Sequence, residues 1–100
     1  MENKIAIVTG AGRGIGRGIA QILAREGARM VVADVRYEDA RKVAMEIRGL
    51  GRESLAVKVD VSKSGQVGKM VERTLKHFGR IDVLVKNVGI IRVSDVMDIS

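Results

Sequence analysis

Eight residues near the N-terminus, Thr9-Gly10-Ala11-Gly12-Arg13-Gly14-Ile15-Gly16, carry the spacing T-G-x-x-x-G-x-G directly after the apolar run Ile5-Ala6-Ile7-Val8. Glycines between an apolar run and a helical pattern are suited to cradling a phosphate. Gly10 permits a sharp turn, Gly14 leaves room for a pyrophosphate, and Gly16 lets the following helix lie close to the strand. The first amides of that helix are then free to meet an anion.

A second chemical group stands eighteen residues beyond Gly16. Asp34 closes the apolar run Met30-Val31-Val32-Ala33, where a carboxylate accepts hydrogen bonds from ribose hydroxyls and repels a 2′-phosphate. This favours NAD over NADP. Arg13 and Arg36 pull the other way, because a guanidinium at that corner pairs with a phosphate. Each also has a plainer reading: Asp34 as a capping or solvated acid, the arginines as surface charges. The strict G-x-G-x-x-G spacing is not met, since Gly10 and Gly12 would require glycine where Ile15 stands. A P-loop is excluded because no G-x-x-x-x-G-K-[ST] occurs. Glycines alone can simply end elements, as expected for Gly27, Gly51 and Gly79. Strand, glycine turn, amphipathic helix and a second strand ending in an acid, in that order, point to nucleotide binding.

These groups need a scaffold, and the periodicity supplies one. Residues 5–8 and Arg29–Asp34 read as strands buried on both faces. Between them a helix over 14–26 has Ile15, Ile19, Ile22 and Leu23 as its predicted apolar stripe, with Gly27 as its stop. A second helix over 38–50 buries Ala40, Val43, Ala44 and Ile47. A third strand over 55–59 is interrupted by Lys58, as befits a sheet edge. Ser62 or Ser64 then caps a helix bearing Val67, Met70, Val71, Leu75 and Phe78 and ending at Gly79. Residues 81–85 form a fourth strand, followed by Lys86-Asn87-Val88-Gly89. After that the signal weakens to Ile90-Ile91 and a turn at Ser94 with Val96 and Met97. Alternating β and α elements imply an α/β, Rossmann-like three-layer fold, a partial doubly wound parallel sheet of strand order 3-2-1-4.

Composition narrows the function classes. One hundred residues suffice for one small domain, and 46% hydrophobic with 30% charged residues is ordinary for a folded chain. No apolar run reaches membrane-spanning length and the start does not read as a signal peptide, so a cytoplasmic setting without a membrane partner is expected. There is no cysteine and one histidine, His77, so a metal centre is not expected. The net charge of +6 is spread over every helix, and Tyr37 and Phe78 are the only aromatics, which argues against a nucleic-acid partner.

With these residues assembled, the chain resembles the N-terminal part of the short-chain dehydrogenase/reductase family. T-G-A-G-R-G-I-G is similar to that family's cofactor loop, Asp60-Val61 to its adenine-contacting pair, and residues 79–89 to its fourth strand and Asn-Asn-Ala-Gly motif. The resemblance implies that Gly10, Arg13, Gly14, Ile15 and Gly16 surround a pyrophosphate, that Asp34 holds the adenosine ribose, and that Asp60 and Val61 border the adenine. Asn87 and Gly89 match the second and fourth motif residues, whereas Lys86 and Val88 replace an asparagine and an alanine. A buried lysine charge and two extra methyl groups would loosen that corner.

The family's Tyr-x-x-x-Lys pair and its serine are missing from the 100 residues. Tyr37 is followed four positions later by Arg41, which cannot play the lysine's part. The resemblance therefore implies that residues 1–100 are the N-terminal part of a Rossmann dinucleotide-binding domain, ending before the catalytic segment. The expected function is the NAD(P)-binding portion of an oxidoreductase exchanging hydride with an alcohol or carbonyl. The alternative is a catalytically inactive nucleotide-binding or interaction module. In either case the fourth strand exposes Val83, Leu84 and Val85 at an open edge, and self-association through it is expected.

Overall fold

A computed structural model of the chain describes residues 2–87. Its elements alternate as β1 (Ile5–Thr9), α1 (Gly14–Arg25), β2 (Arg29–Asp34), α2 (Tyr37–Gly49), β3 (Ser54–Lys58), α3 (Ser64–Phe78) and β4 (Val83–Val85). All strand pairs are parallel and the order is β3-β2-β1-β4, as the sequence predicts. The features expected beyond Asn87, namely Val88, Gly89, Ile90-Ile91 and the turn at Ser94, lie outside the described residues.

Strand periodicity divides the core into two layers. Ala6, Val8, Met30, Val32, Ala56 and Val85 face α1 and α2, whereas Ile7, Val31, Ala33, Val57 and Leu84 face α3. Because helices cover both faces, β1 is buried along its length and reads as an unbroken apolar run. Ile7 is wholly buried, a burial that contributes about 1.5–3 kcal/mol.

The helix α1 differs from its predicted stripe. Ile15 and Ile22 are each 58% exposed, and the face against the sheet is made by Gly16, Ala20 and Ala24 with Ile19 and Leu23 half-buried beside them. The reason is distance: α1 lies so close to β1 that small residues fill its contact, and a reading weighted toward large apolar residues finds the neighbouring stripe. In α2 the predicted face, Ala40, Val43, Ala44 and Ile47, is the buried one.

Other differences concern ends. Neither Ser62 nor Ser64 caps α3, whose cap residue is Lys63 with no side-chain bond; Ser62 turns back to Asp60 instead. Gly79 ends α3 in the left-handed region, its N–H donating to the Leu75 carbonyl at 2.8 Å. The strand β4 starts at Val83 rather than at 81. Asp82 is occupied beforehand: its N–H donates to the Ile5 carbonyl at 2.9 Å and its Oδ2 accepts the Ile5 N–H at 2.8 Å. Among the described residues no helix is long and apolar enough to cross a membrane.

Candidate functional site

The C-terminal ends of β1, β2 and β4 converge where the sheet order reverses, the place where open α/β sheets accept ligands. Thr9 ends β1 with its side chain buried. Its Oγ1 accepts the Asn87 N–H at 3.0 Å and donates to the Val85 carbonyl at 3.5 Å, which fastens the exit of β4 to the tip of β1. Gly10 follows at φ +62°, and a Cβ there would sit 2.5 Å from the Asn87 carbonyl oxygen. Asn87 Nδ2 donates to the Gly10 carbonyl at 3.2 Å, so this turn is held from the β4 side.

On the other side the loop is tied to β2. The Ala11 N–H donates to the Ala33 carbonyl at 3.0 Å, and the Gly12 N–H donates to Asp34 Oδ2 at 2.9 Å. Asp34 Oδ1 accepts the Arg36 N–H at 2.9 Å. Each carboxylate oxygen thus holds one amide and retains acceptor capacity toward the cleft. Gly12 is where the sequence reading is incomplete: a Cβ there would lie 2.6 Å from Asp39 Cβ and 2.9 Å from Asp34 Oδ2. Thr9 and Gly12 are both in the loop motif, but their hydrogen bonds span 78 and 22 positions and have no signature in local spacing.

The chain then enters α1 through Arg13, whose backbone is extended and whose side chain makes no capping bond. The first turn holds no acid, and the first backbone bond of the helix, from the Arg17 N–H to the Arg13 carbonyl, is long at 3.4 Å. The amides of Gly14, Ile15 and Gly16 precede it and give this end its positive character. A Cβ on Gly14 would meet nothing within 4 Å, whereas one on Gly16 would collide with the Gly10 carbonyl and Asn87 Nδ2. Gly14 therefore faces open space, and Gly16 sets the spacing between helix and strand.

Two adjoining depressions share Gly10, Asp34 and Asn87. The first, about 380 Å³, adds Arg13, Gly14 and Ile15; the second, about 220 Å³, adds Val35, Val59, Asp60 and Val61. One cleft thus brings together Gly10, Arg13, Gly14, Ile15, Asp34, Asp60, Val61 and Asn87, with Gly16 beneath it and Gly89 outside the described residues. Asp60 Oδ1 accepts from Ser62 Oγ at 2.6 Å and from the Ser62 N–H at 3.0 Å. Those bonds, the hydroxyl's first, hold its carboxyl below the usual carboxylate range, with a smaller contribution from Lys63.

Of the two arginines weighed against Asp34, Arg13 lines the cleft; Arg36 is exposed and engages Asp34 through its backbone. Lys86 is exposed too, on a separate depression with Thr9, Ser62 and Leu84. The desolvation cost expected of a buried lysine does not arise.

An uncapped helix start, an open glycine face and a carboxylate at the next strand's tip fit an anionic dinucleotide. Residues 4–100 match the sequence model of the family described as short chain dehydrogenase. A protein named short chain dehydrogenase from Claviceps purpurea is 40% identical over 101 aligned residues, which take in all of this chain and 38% of that protein. The crystal structure of a hydroxysteroid dehydrogenase from Escherichia coli superposes with a TM-score of 0.85 at 36% identity, over 88% of this chain and 37% of that one. A short chain dehydrogenase/reductase from Burkholderia phymatum, solved in complex with NAD, gives 0.80 at 35% identity, over 83% and 30%. The chain spans about 38% of the length of that curated relative.

Proposed function

The chain belongs to the short chain dehydrogenase family, and on that premise we propose that residues 1–100 form the dinucleotide-binding part of an oxidoreductase. The observation that carries this reading is the presence of the Asp34 carboxylate and the amide end of α1 in one cleft. In it, Gly10, Arg13, Gly14 and Ile15 surround a pyrophosphate while Gly16 keeps α1 close. Asp34 takes the adenosine ribose hydroxyls, and Asp60 and Val61 border the adenine. Asn87 holds the turn at Gly10, and Gly89, outside the described residues, is assigned to the cofactor by its match to the family motif alone.

The cofactor proposed is NAD in preference to NADP. A carboxylate whose oxygens face ribose hydroxyls repels a 2′-phosphate, and the Burkholderia phymatum relative was solved with NAD. Arg13 on the cleft rim moderates that preference. When bound, the nicotinamide would give or take the hydride exchanged with an alcohol or carbonyl substrate. That exchange is proposed for the whole protein, because the given residues contain no Tyr-x-x-x-Lys to move the proton. We further propose self-association through the outer edge of β4, with which no further strand pairs among the described residues and where Val83 and Leu84 are half-buried.

Calorimetric titration of the purified chain with NAD, NADP and ADP-ribose tests the reading. NAD and ADP-ribose should bind alike and NADP more weakly. Absence of ADP-ribose binding overturns it, and equal or tighter NADP binding overturns the cofactor assignment alone.

A further inference from the structure

The strand β3 is the outer strand on the side of the sheet away from β4. The Glu53 carbonyl accepts the Met30 N–H at 3.0 Å and the Val59 N–H donates to the Asp34 carbonyl at 3.0 Å. In a parallel ladder this alternation turns the backbone groups of Leu55 and Val57 toward β2 and those of Ser54, Ala56 and Lys58 outward. The Ser54 carbonyl is covered, since Arg48 donates to it from Nε at 3.1 Å and Nη2 at 2.8 Å. Among the described residues no strand pairs with the outward groups of Ala56 and Lys58 along this edge.

Beside that edge runs a groove between β3 and α3. One stretch, about 390 Å³, is lined by Val57, Lys58, Gln66, Lys69, Met70 and Arg73. The next, about 440 Å³, follows Leu55 toward the start of the strand and includes Arg48, Arg52, Glu53 and His77. Its Ser54 hydroxyl is buried with no hydrogen-bond partner among the described residues. The first stretch has three cations and no carboxylate in its wall. All three are exposed, and none belongs to an ion pair among the described residues. A lysine on an edge strand is an ordinary guard against unwanted pairing, and Lys58 alone would be that. Lys69 and Arg73 are different: they stand one turn apart on α3, over the same edge.

We propose that the β3 edge is a docking site for an acidic, extended segment of a protein partner, which adds to the sheet as a further strand. Its main chain pairs with Ala56 and Lys58, and its alternate acidic side chains meet Lys69 and Arg73 over the apolar floor of Val57 and Met70. Charge complementarity selects this occupant. A second copy paired through this same edge would bring its own Lys58, Lys69 and Arg73 against these cations. A nucleic acid would want stacking platforms, and neither Tyr37 nor Phe78 lines the groove.

The test is a fluorescence titration of the chain with a labelled peptide of alternating Glu and Thr. It runs beside a Lys-Thr peptide, a Glu-Pro peptide that cannot donate a strand ladder, and an oligothymidylate. Amide exchange is followed in parallel. The Glu-Thr peptide should bind at least about tenfold more tightly than the other two peptides and slow exchange at Ala56 and Lys58. Lys69→Glu with Arg73→Glu, on the exposed face of α3, should lose about tenfold in affinity with an unchanged circular dichroism spectrum. Any of the following overturns the proposal: no binding, equal binding of the Glu-Pro peptide, tighter binding of the oligothymidylate, or protection of Ala56 and Lys58 by the chain's own dimerisation.

Discussion

Asp34 and Gly12 meet across the base of the cleft, the amide of one donating to Oδ2 of the other at 2.9 Å. The bond fixes the carboxylate before any ligand arrives, and the Arg36 amide holds its second oxygen. Asp34→Asn keeps the shape but turns a donor toward one of those amides. We expect it to lower stability by about 1–3 kcal/mol and NAD affinity by about tenfold or more, with a smaller loss for NADP. Urea unfolding and calorimetric titration of the same variant separate the two effects. Unchanged NAD affinity would remove Asp34 from the proposed ribose contact.

Gly16→Ala tests the spacing of α1. The added methyl would collide with the Gly10 carbonyl, which is backbone and cannot swing aside. The helix must retreat from β1 at a cost of about 1–3 kcal/mol, and the amides at its start move with it. Gly18→Ala is the control, since a Cβ there meets nothing within 4 Å and alanine favours the helix. Equal urea midpoints for the two variants would contradict the close-packing account.

The contrast between those glycines shows what can be read from this sequence. Strand order, the alternation of elements and the cleft residues Gly10, Gly14, Gly16 and Asp34 follow from apolar runs, glycine spacing and one acid at a strand end, all of them local signals, whereas Asp60, Val61 and Asn87 are reached only through the family resemblance. The buried stripe of α1 does not. Gly16, Ala20 and Ala24 carry little hydrophobicity of their own, and their burial is a consequence of how near the helix lies to the sheet. Thr9, Gly12 and Asp82 are hidden for a related reason: each acts through a bond to a partner many residues away. Lys86 shows the converse error, a residue type judged costly until its exposure is known.

Thr9→Val isolates the link between β1 and β4. The side chain keeps its shape, but the buried Asn87 amide loses its acceptor. A cost of about 1–3 kcal/mol is expected, larger than for Thr9→Ser, which retains the hydroxyl. Chemical denaturation checks the order of the two variants, and a serine variant as weak as valine would shift the explanation to lost methyl packing.

Lys86→Asn restores the residue type of the family motif at a position that is solvated. Its effect on stability should stay within about 0.5 kcal/mol, because no buried charge is relieved. A stabilisation well beyond that, read from the thermal midpoint, would mean that the ammonium is desolvated in solution.

Acid should unfold the protein through carboxylates that are held ionised. Asp82 sits below its ordinary value of 3.8 because of its bonds to Arg80 first and to the Ile5 amide second. Asp60 is lowered by Ser62, and Glu46 falls below 4.5 through Arg17, which it meets at 2.7 Å. A carboxyl depressed in the folded state binds fewer protons there than in the unfolded chain. Its stabilisation is therefore complete above the unfolded value and is lost as pH falls through the folded one. Urea midpoints should accordingly be level near neutral pH and decline once pH drops below roughly 4.5, where the ordinary carboxyls begin to protonate. Added salt should weaken the exposed Arg17–Glu46 contribution more than that of Asp82, whose bond to Ile5 joins β1 to the entrance of β4. Asp82→Asn removes the charge that meets Arg80 while leaving an amide oxygen able to accept the Ile5 N–H, so its midpoint should be lower at neutral pH and decline less steeply in acid. An equally steep decline in that variant would assign acid sensitivity to the other carboxyls.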